Sequence, residues 1–178
     1  MIVLLESVHA DALDLLERAD HVRVMANPIE LDVDLPLDEV RAVLTRGRGR
    51  ITAEMCRQLP NLQVVGRCGA GLDNIDTVAA KAAGIAVVHA PGRTTHAVSE
   101  HALLLMLVLA RRATVLDRAV KSGAWGIREG YEGVELRGKR LGVIGLGAIG
   151  RRVAEIGTTL GMTVAYSVSY THLTLPTN

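Results

Sequence analysis

Short apolar, β-branched runs alternate with amphipathic stretches along most of the chain. Residues 2–5 (IVLL) read as a strand, and residues 10–19 as a helix with Leu13, Leu16 and, weakly, Ala12 on one face. Further strands are expected at 21–25, 40–45, 62–65 and 85–88. Helices are expected at 52–59, ended by Pro60, and at 75–83, closed by Gly84. The stretch 27–38 holds Pro28, Pro36 and several acids and reads as loop. Continuous apolar strands separated by helices predict a parallel sheet covered on both faces.

Beyond Pro91 and Gly92 the pattern changes. Residues 97–121 can run as one helix of about 37 Å. Its middle is apolar nearly all round, which predicts burial between two bodies rather than on one surface. Residues 122–139 carry five glycines and few apolar anchors, as a connection between domains would. A fresh strand starts at Leu141. The chain is therefore expected to comprise an α/β unit at 1–96, a linking helix at 97–122 and the start of a second α/β unit at 123–167.

Composition narrows the function. Of 178 residues, 20 are basic and 19 acidic, for a net charge of +1, which argues against binding nucleic acid by counterion release. Aromatics make up 2% of the chain, too few for base-stacking platforms. Cys56 and Cys68 lack metal-ligand spacing and are expected to be buried, reduced thiols, and no metal is expected. Met1 to Leu5 is apolar, but no basic region precedes it and Glu6 interrupts it, so no secretory signal is read here. The longest apolar run, residues 102–110, is about half of what a bilayer requires. A cytoplasmic protein without membrane or nucleic-acid partners is expected.

The sharpest motif is GLGAIG at 145–150, following a strand and preceding a helix at 151–160 and a second strand at 162–166. Gly145 permits a tight turn, Gly147 lets the backbone approach a pyrophosphate, and Gly150 allows the helix to pack on the strand. The helix N-terminus offers its N–H groups to the anion. This arrangement predicts dinucleotide binding; a merely structural glycine turn is the alternative. An acid normally ends the second strand and holds the ribose of NAD. NAD is expected, but Ser167 stands there in place of the acid, which loosens that preference and also admits NADP. Residues 168–177 resemble the translated end of a sequencing-library adapter. On that reading 168–178 is an artefactual tail, Ser167 is weak evidence of cofactor choice, and the chain is a fragment cut inside its second domain.

Several motifs in register resemble the D-isomer-specific 2-hydroxyacid dehydrogenases. They are NLQVVGRCGAGLDNID at 61–76, VSEH at 98–101, GAW at 123–125, ELRGK at 135–139 and the glycine turn at 145–150. LTR at 44–46 and ITAE at 51–54 are most similar to phosphoglycerate dehydrogenases. The resemblance implies a flavodoxin-like parallel-sheet substrate (catalytic) domain followed by the first β-α-β of a Rossmann NAD-binding domain. It implies an NAD(P)-dependent oxidoreductase moving hydride between nicotinamide and C2 of a D-2-hydroxy acid such as 3-phosphoglycerate or glycerate.

By the same resemblance, Ala70 and Gly71 would hold the substrate carboxylate through their N–H groups, with Ala70 also near the nicotinamide. Such bare amides form an anion-binding nest. Ala148 and Ile149 would face the cofactor phosphates together with Gly145, Gly147 and Gly150, and the cleft is expected between the two turns. Arg46 matches a basic residue near the substrate's distal end, and Thr94 stands where Asn is frequent. A homodimer is implied, with the long helix contributing. The family's catalytic Arg, Glu and His would lie beyond this chain, leaving it inactive by itself. Transcriptional corepressors that share the fold and bind NAD are the alternative.

Other residues invite weaker readings. Arg46, Arg48 and Arg50 alternate with Gly47 and Gly49, as a loop that clasps a second anionic group or as a solvated surface. Gly47 replaces the Ser more usual in phosphoglycerate dehydrogenases. Glu100 and His101 point about 100° apart on a helix and cannot form an acid–base dyad. His89 and His96 flank the Pro91–Gly92 hinge and are read as packing residues, with a cleft wall as the alternative. Asp73, Asn74 and Asp76 are read as turn and cap residues.

Overall fold

The computed structural model describes residues 1–168, and the chain divides into two compact units after Arg93. The first unit opens with β1 (Ile2–Leu4), α1 (Ala10–Glu17), β2 (Val22–Val24), β3 (Ala42–Thr45) and α2 (Ala53–Gln58). It closes with β4 (Val64–Arg67), α3 (Thr77–Ala82) and β5 (Ala86–His89). The five strands form one parallel sheet in the order β2-β1-β3-β4-β5, the flavodoxin-like arrangement expected from the sequence.

The central strands of this sheet are covered on both faces, whereas the edge strand β5 leaves Ala86, Val88 and His89 exposed. Val3, Leu5, Val43 and Val65 point to the side of Met55 and Cys56 on α2, Leu59 just after it and Ala80 on α3. Ile2, Leu4 and Ala42 meet Leu13 and Leu16 of α1 on the other. Val3, Val43 and Val65 are fully buried, and each such side chain contributes about 1.5–3 kcal/mol. Thr52 caps α2 by accepting from Met55 N–H at 3.2 Å, and Asp76 caps α3 by accepting from Ala79 N–H at 2.9 Å. Cys56 is buried, but Cys68, expected to be buried too, is exposed: it lies one residue past β4, where the chain leaves the sheet.

The second unit contains α4 (Thr95–Ala110), α5 (Ala113–Lys121), a 3₁₀ turn (Trp125–Gly130), β6 (Arg140–Ile144), α6 (Ala148–Thr159) and β7 (Thr163–Ser167). Strands β6 and β7 pair in parallel around α6, and α4 packs on α6. The single helix expected over 97–121 is broken at Arg112, whose φ of 48° is left-handed. The cause is non-local. Ala110 O accepts from Val134 N–H at 2.8 Å, and Arg111 O accepts from the Tyr131 hydroxyl at 3.0 Å, so the returning chain takes carbonyls that a continuous helix would use. The burial expected all round α4 is also absent. Leu104, Leu105, Leu107 and Leu109 stand exposed, because only one side meets α6.

Candidate functional site

The register of the first sheet aligns Thr45, Arg67 and His89 at the carboxyl ends of β3, β4 and β5. In open α/β sheets, ligands bind at this edge, where loops leave the strands. Arg46 follows β3, the turn holding Ala70 and Gly71 follows β4, and Glu6 follows β1. The sheet therefore gathers residues from distant parts of the sequence onto one rim.

The turn after β4 is tied down from β5. Gly69 O accepts from Ala90 N–H at 2.9 Å, and His89 Nδ1 lies 2.8 Å from Ala70 O. A carbonyl only accepts, so Nδ1 carries the proton. These bonds hold the carbonyl side of the turn, while the Ala70 and Gly71 N–H groups have no acceptor among the described residues. Both residues are exposed. Free adjacent amides on a fixed turn suit a carboxylate.

Arg67, which sequence reasoning did not single out, belongs to this rim. A Cβ at Gly69 would come within 1.9 Å of its Nη1, and one at Gly47 within 3.6 Å of its Nη2. Its guanidinium therefore lies against Gly69 and reaches towards the Arg46–Gly47 loop. Its Nε is buried without a hydrogen-bond partner, and it forms no ion pair among the described residues. The available signal was its position as the last residue of an apolar parallel strand.

Arg46 is exposed, with Nη1 donating to Ser7 O at 3.2 Å. Arg48 and Arg50 are exposed as well, and none of the three pairs with a carboxylate side chain among the described residues. Beneath them Glu6 accepts from the loop's main chain. Burial pushes its pKa up, but bonds from Arg46, Arg48 and Gly47 N–H and from the Thr45 hydroxyl outweigh this and lower it from 4.5 to about 2. Asn74, buried, donates to Thr45 Oγ1 at 3.2 Å and Gly49 O at 2.7 Å, linking this loop to the segment after Gly71.

In the second unit, Gly145 adopts φ 86° at the end of β6 and donates to Ser167 O at 2.9 Å. A Cβ at Gly150 would sit 2.0 Å from Gly145 O, so glycine is required where α6 crosses the turn. A Cβ at Gly147 would meet nothing within 4 Å, leaving room for a ligand's close approach. Arg151 Nε donates to Leu146 O at 3.0 Å and steadies the turn. Gly147 offers no side-chain cap, and the Ala148, Ile149 and Gly150 N–H groups have no acceptor among the described residues. The uncapped helix start and the open approach at Gly147 fit a dinucleotide's pyrophosphate.

The remaining candidates are less engaged. Thr94 makes no side-chain cap bond to α4, and Glu100 and His101 are exposed. Among the described residues no cluster of His, Cys, Asp or Glu could hold a metal, and no helix is long and apolar enough to cross a membrane.

These features define an α/β protein with one exposed turn of unpartnered main-chain N–H groups in each unit. Residues 2–176 match the family described as D-isomer specific 2-hydroxyacid dehydrogenase, catalytic domain, and the chain belongs to that family. It is 40% identical over 155 residues to D-3-phosphoglycerate dehydrogenase of Archaeoglobus fulgidus, covering 83% of this chain and 29% of that one. It is 38% identical over 168 residues to glyoxylate reductase of Aeropyrum pernix, covering 89% of this chain and 50% of that one. Among solved structures, D-lactate dehydrogenase from Aquifex aeolicus, complexed with NAD and lactic acid, superposes with a TM-score of 0.81 at 25% identity, over 97% of this chain and 53% of that one. The chain thus spans half or less of the length of the two curated relatives.

Proposed function

We propose that this chain carries the acid-binding part and the first cofactor-binding turn of an NAD- or NADP-dependent oxidoreductase acting on the CH–OH group of a D-2-hydroxy acid. The observation that carries the proposal is the pair of acceptor-free amides at Ala70 and Gly71, on a turn fixed by His89 and Ala90. They hold the substrate carboxylate and leave C2 free to react. Arg46 and Arg67 supply positive charge for a second anionic group, which favours a phosphorylated or dicarboxylic acid over a short one such as glyoxylate.

Gly145, Gly147, Ala148, Ile149 and Gly150 receive the cofactor's pyrophosphate at the start of α6. When bound, the nicotinamide exchanges hydride with C2; the chain's own share is to bind and orient. Carbonyl orientation and proton exchange, which the family gives to an Arg, a Glu and a His, are assigned to none of the residues named here. We place the continued protein in the cytoplasm, as a homodimer in which the exposed leucines of α4 take part.

The test is NADH and NADPH oxidation by the chain extended to the length of its relatives, with phosphohydroxypyruvate, hydroxypyruvate and glyoxylate. Turnover fastest with phosphohydroxypyruvate supports the reading. Tight NADH binding with no turnover of any 2-keto acid overturns it and favours the corepressor.

A further inference from the structure

Glu6 stands at the base of the arginine loop, one residue beyond the fully buried Leu5. Its Oε2 accepts from Thr45 Oγ1 at 3.0 Å, Arg46 N–H at 2.5 Å and Gly47 N–H at 3.2 Å. Its Oε1 accepts from Arg48 N–H and from Gly49 N–H at 3.2 Å. Four consecutive main-chain amides and one hydroxyl thus converge on one carboxylate. Two of the five residues from 46 to 50 are glycines, so without this anchor the loop would sample many conformations. Three exposed guanidinium groups on so short a segment also repel one another, and the negative charge beneath them offsets that repulsion.

The anchor is itself held. Thr45 Oγ1 receives the Asn74 amide, and Asn74 also donates to Gly49 O, at the far end of the anchored loop. Asn74 lies three residues past Gly71. A hydrogen-bonded route therefore runs from Glu6 through Thr45 to Asn74, on the segment that follows the turn offering the free amides.

We infer that Glu6 is a positioning residue for substrate choice: its carboxylate fixes the main chain of residues 46–49 so that Arg46 meets the distal anionic group of an acid whose carboxylate sits at Ala70 and Gly71. This rests on the acid-binding reading above. Glu6 touches no substrate; it acts through Arg46. Its loss costs affinity for acids with a second anionic group and spares those without one. An amide side chain cannot replace it. Gln keeps one oxygen acceptor in place of two and brings an N–H₂ towards amides that already donate.

The experiment is calorimetric titration of this chain with D-3-phosphoglycerate and with glyoxylate, for wild type, Glu6→Gln and Glu6→Asp. Glu6→Gln is expected to weaken D-3-phosphoglycerate about tenfold and to change glyoxylate less than twofold. Glu6→Asp keeps the charge but is one methylene shorter, and is expected to fall between the two. Equal losses for both acids make Glu6 an ordinary structural residue and overturn the inference; so does no change for either. If wild type binds neither acid, the acid-binding reading itself has failed and the inference goes with it. Should Glu6→Gln not fold, the Glu6→Asp comparison decides on the same terms.

Discussion

His89 Nδ1 lies 2.8 Å from the carbonyl oxygen of Ala70, joining the last residue of β5 to the turn that follows β4. The bond is exposed, and a typical one contributes about 1 kcal/mol. Its removal in His89→Ala should weaken glyoxylate binding about fivefold, with little change in melting temperature. Calorimetry beside a thermal melt checks this. A large drop in stability with unchanged affinity would show that His89 supports the sheet and not the turn.

Two glycines of one motif should behave differently. Gly147 has open space around it, so Gly147→Ala should leave stability nearly unchanged while removing NADH binding. Gly150→Ala would drive a methyl group towards the Gly145 carbonyl and should destabilise the β6–α6 unit by about 1–3 kcal/mol. Thermal melts with NADH fluorescence titration separate the two. NADH bound equally well by Gly147→Ala would sink the dinucleotide assignment.

Acid should reveal Glu6. Its folded pKa, about 2, lies below the ordinary 4.5, so its contribution to stability is complete above 4.5 and is lost as pH falls towards 2. Wild-type melting temperature should therefore fall more steeply across that window than that of Glu6→Gln, and the two curves should converge at its acidic end. Parallel curves would refute this.

The break between α4 and α5 can be tested at Arg112. A left-handed non-glycine residue costs roughly 1–2 kcal/mol, so Arg112→Gly should hold or raise stability, by at most about 1 kcal/mol once glycine's greater unfolded freedom is counted. Tyr131→Phe removes the hydroxyl that accepts from Arg111 Nε at 3.1 Å and donates to Arg111 O, and should lower stability by about 1 kcal/mol. Denaturant titration reads both.

Thiol reactivity should distinguish the two cysteines. Burial, with the Asp76 charge adding to it, raises the pKa of Cys56, whereas Cys68 is exposed. One thiol should react with a disulfide reagent in the native chain, and two after denaturation.

The first sheet was legible because strands covered on both faces must be continuous apolar runs, as IVLL at 2–5 and VV at 64–65 are. The glycine turn was legible because each of its glycines answers a separate geometric demand. What escaped the sequence depends on partners far along the chain. Glu6 looked only like an interruption of an apolar run, since its five donors lie 39 to 43 residues away. Arg67 was hidden inside a motif, and its place beside the Arg46–Gly47 loop emerges only when β3 and β4 lie side by side. The helix break at Arg112 follows from hydrogen bonds to Tyr131 and Val134, which no local periodicity encodes. The adapter-like residues 169–178 lie outside the described structure.

The common level at which Thr45, Arg67 and His89 end their strands has an evolutionary reading. Each of these residues leads into its own loop, while the buried Val3, Val43 and Val65 below carry the architecture. Under the proposed function, substitutions in one loop retune which acid is admitted without unravelling the scaffold.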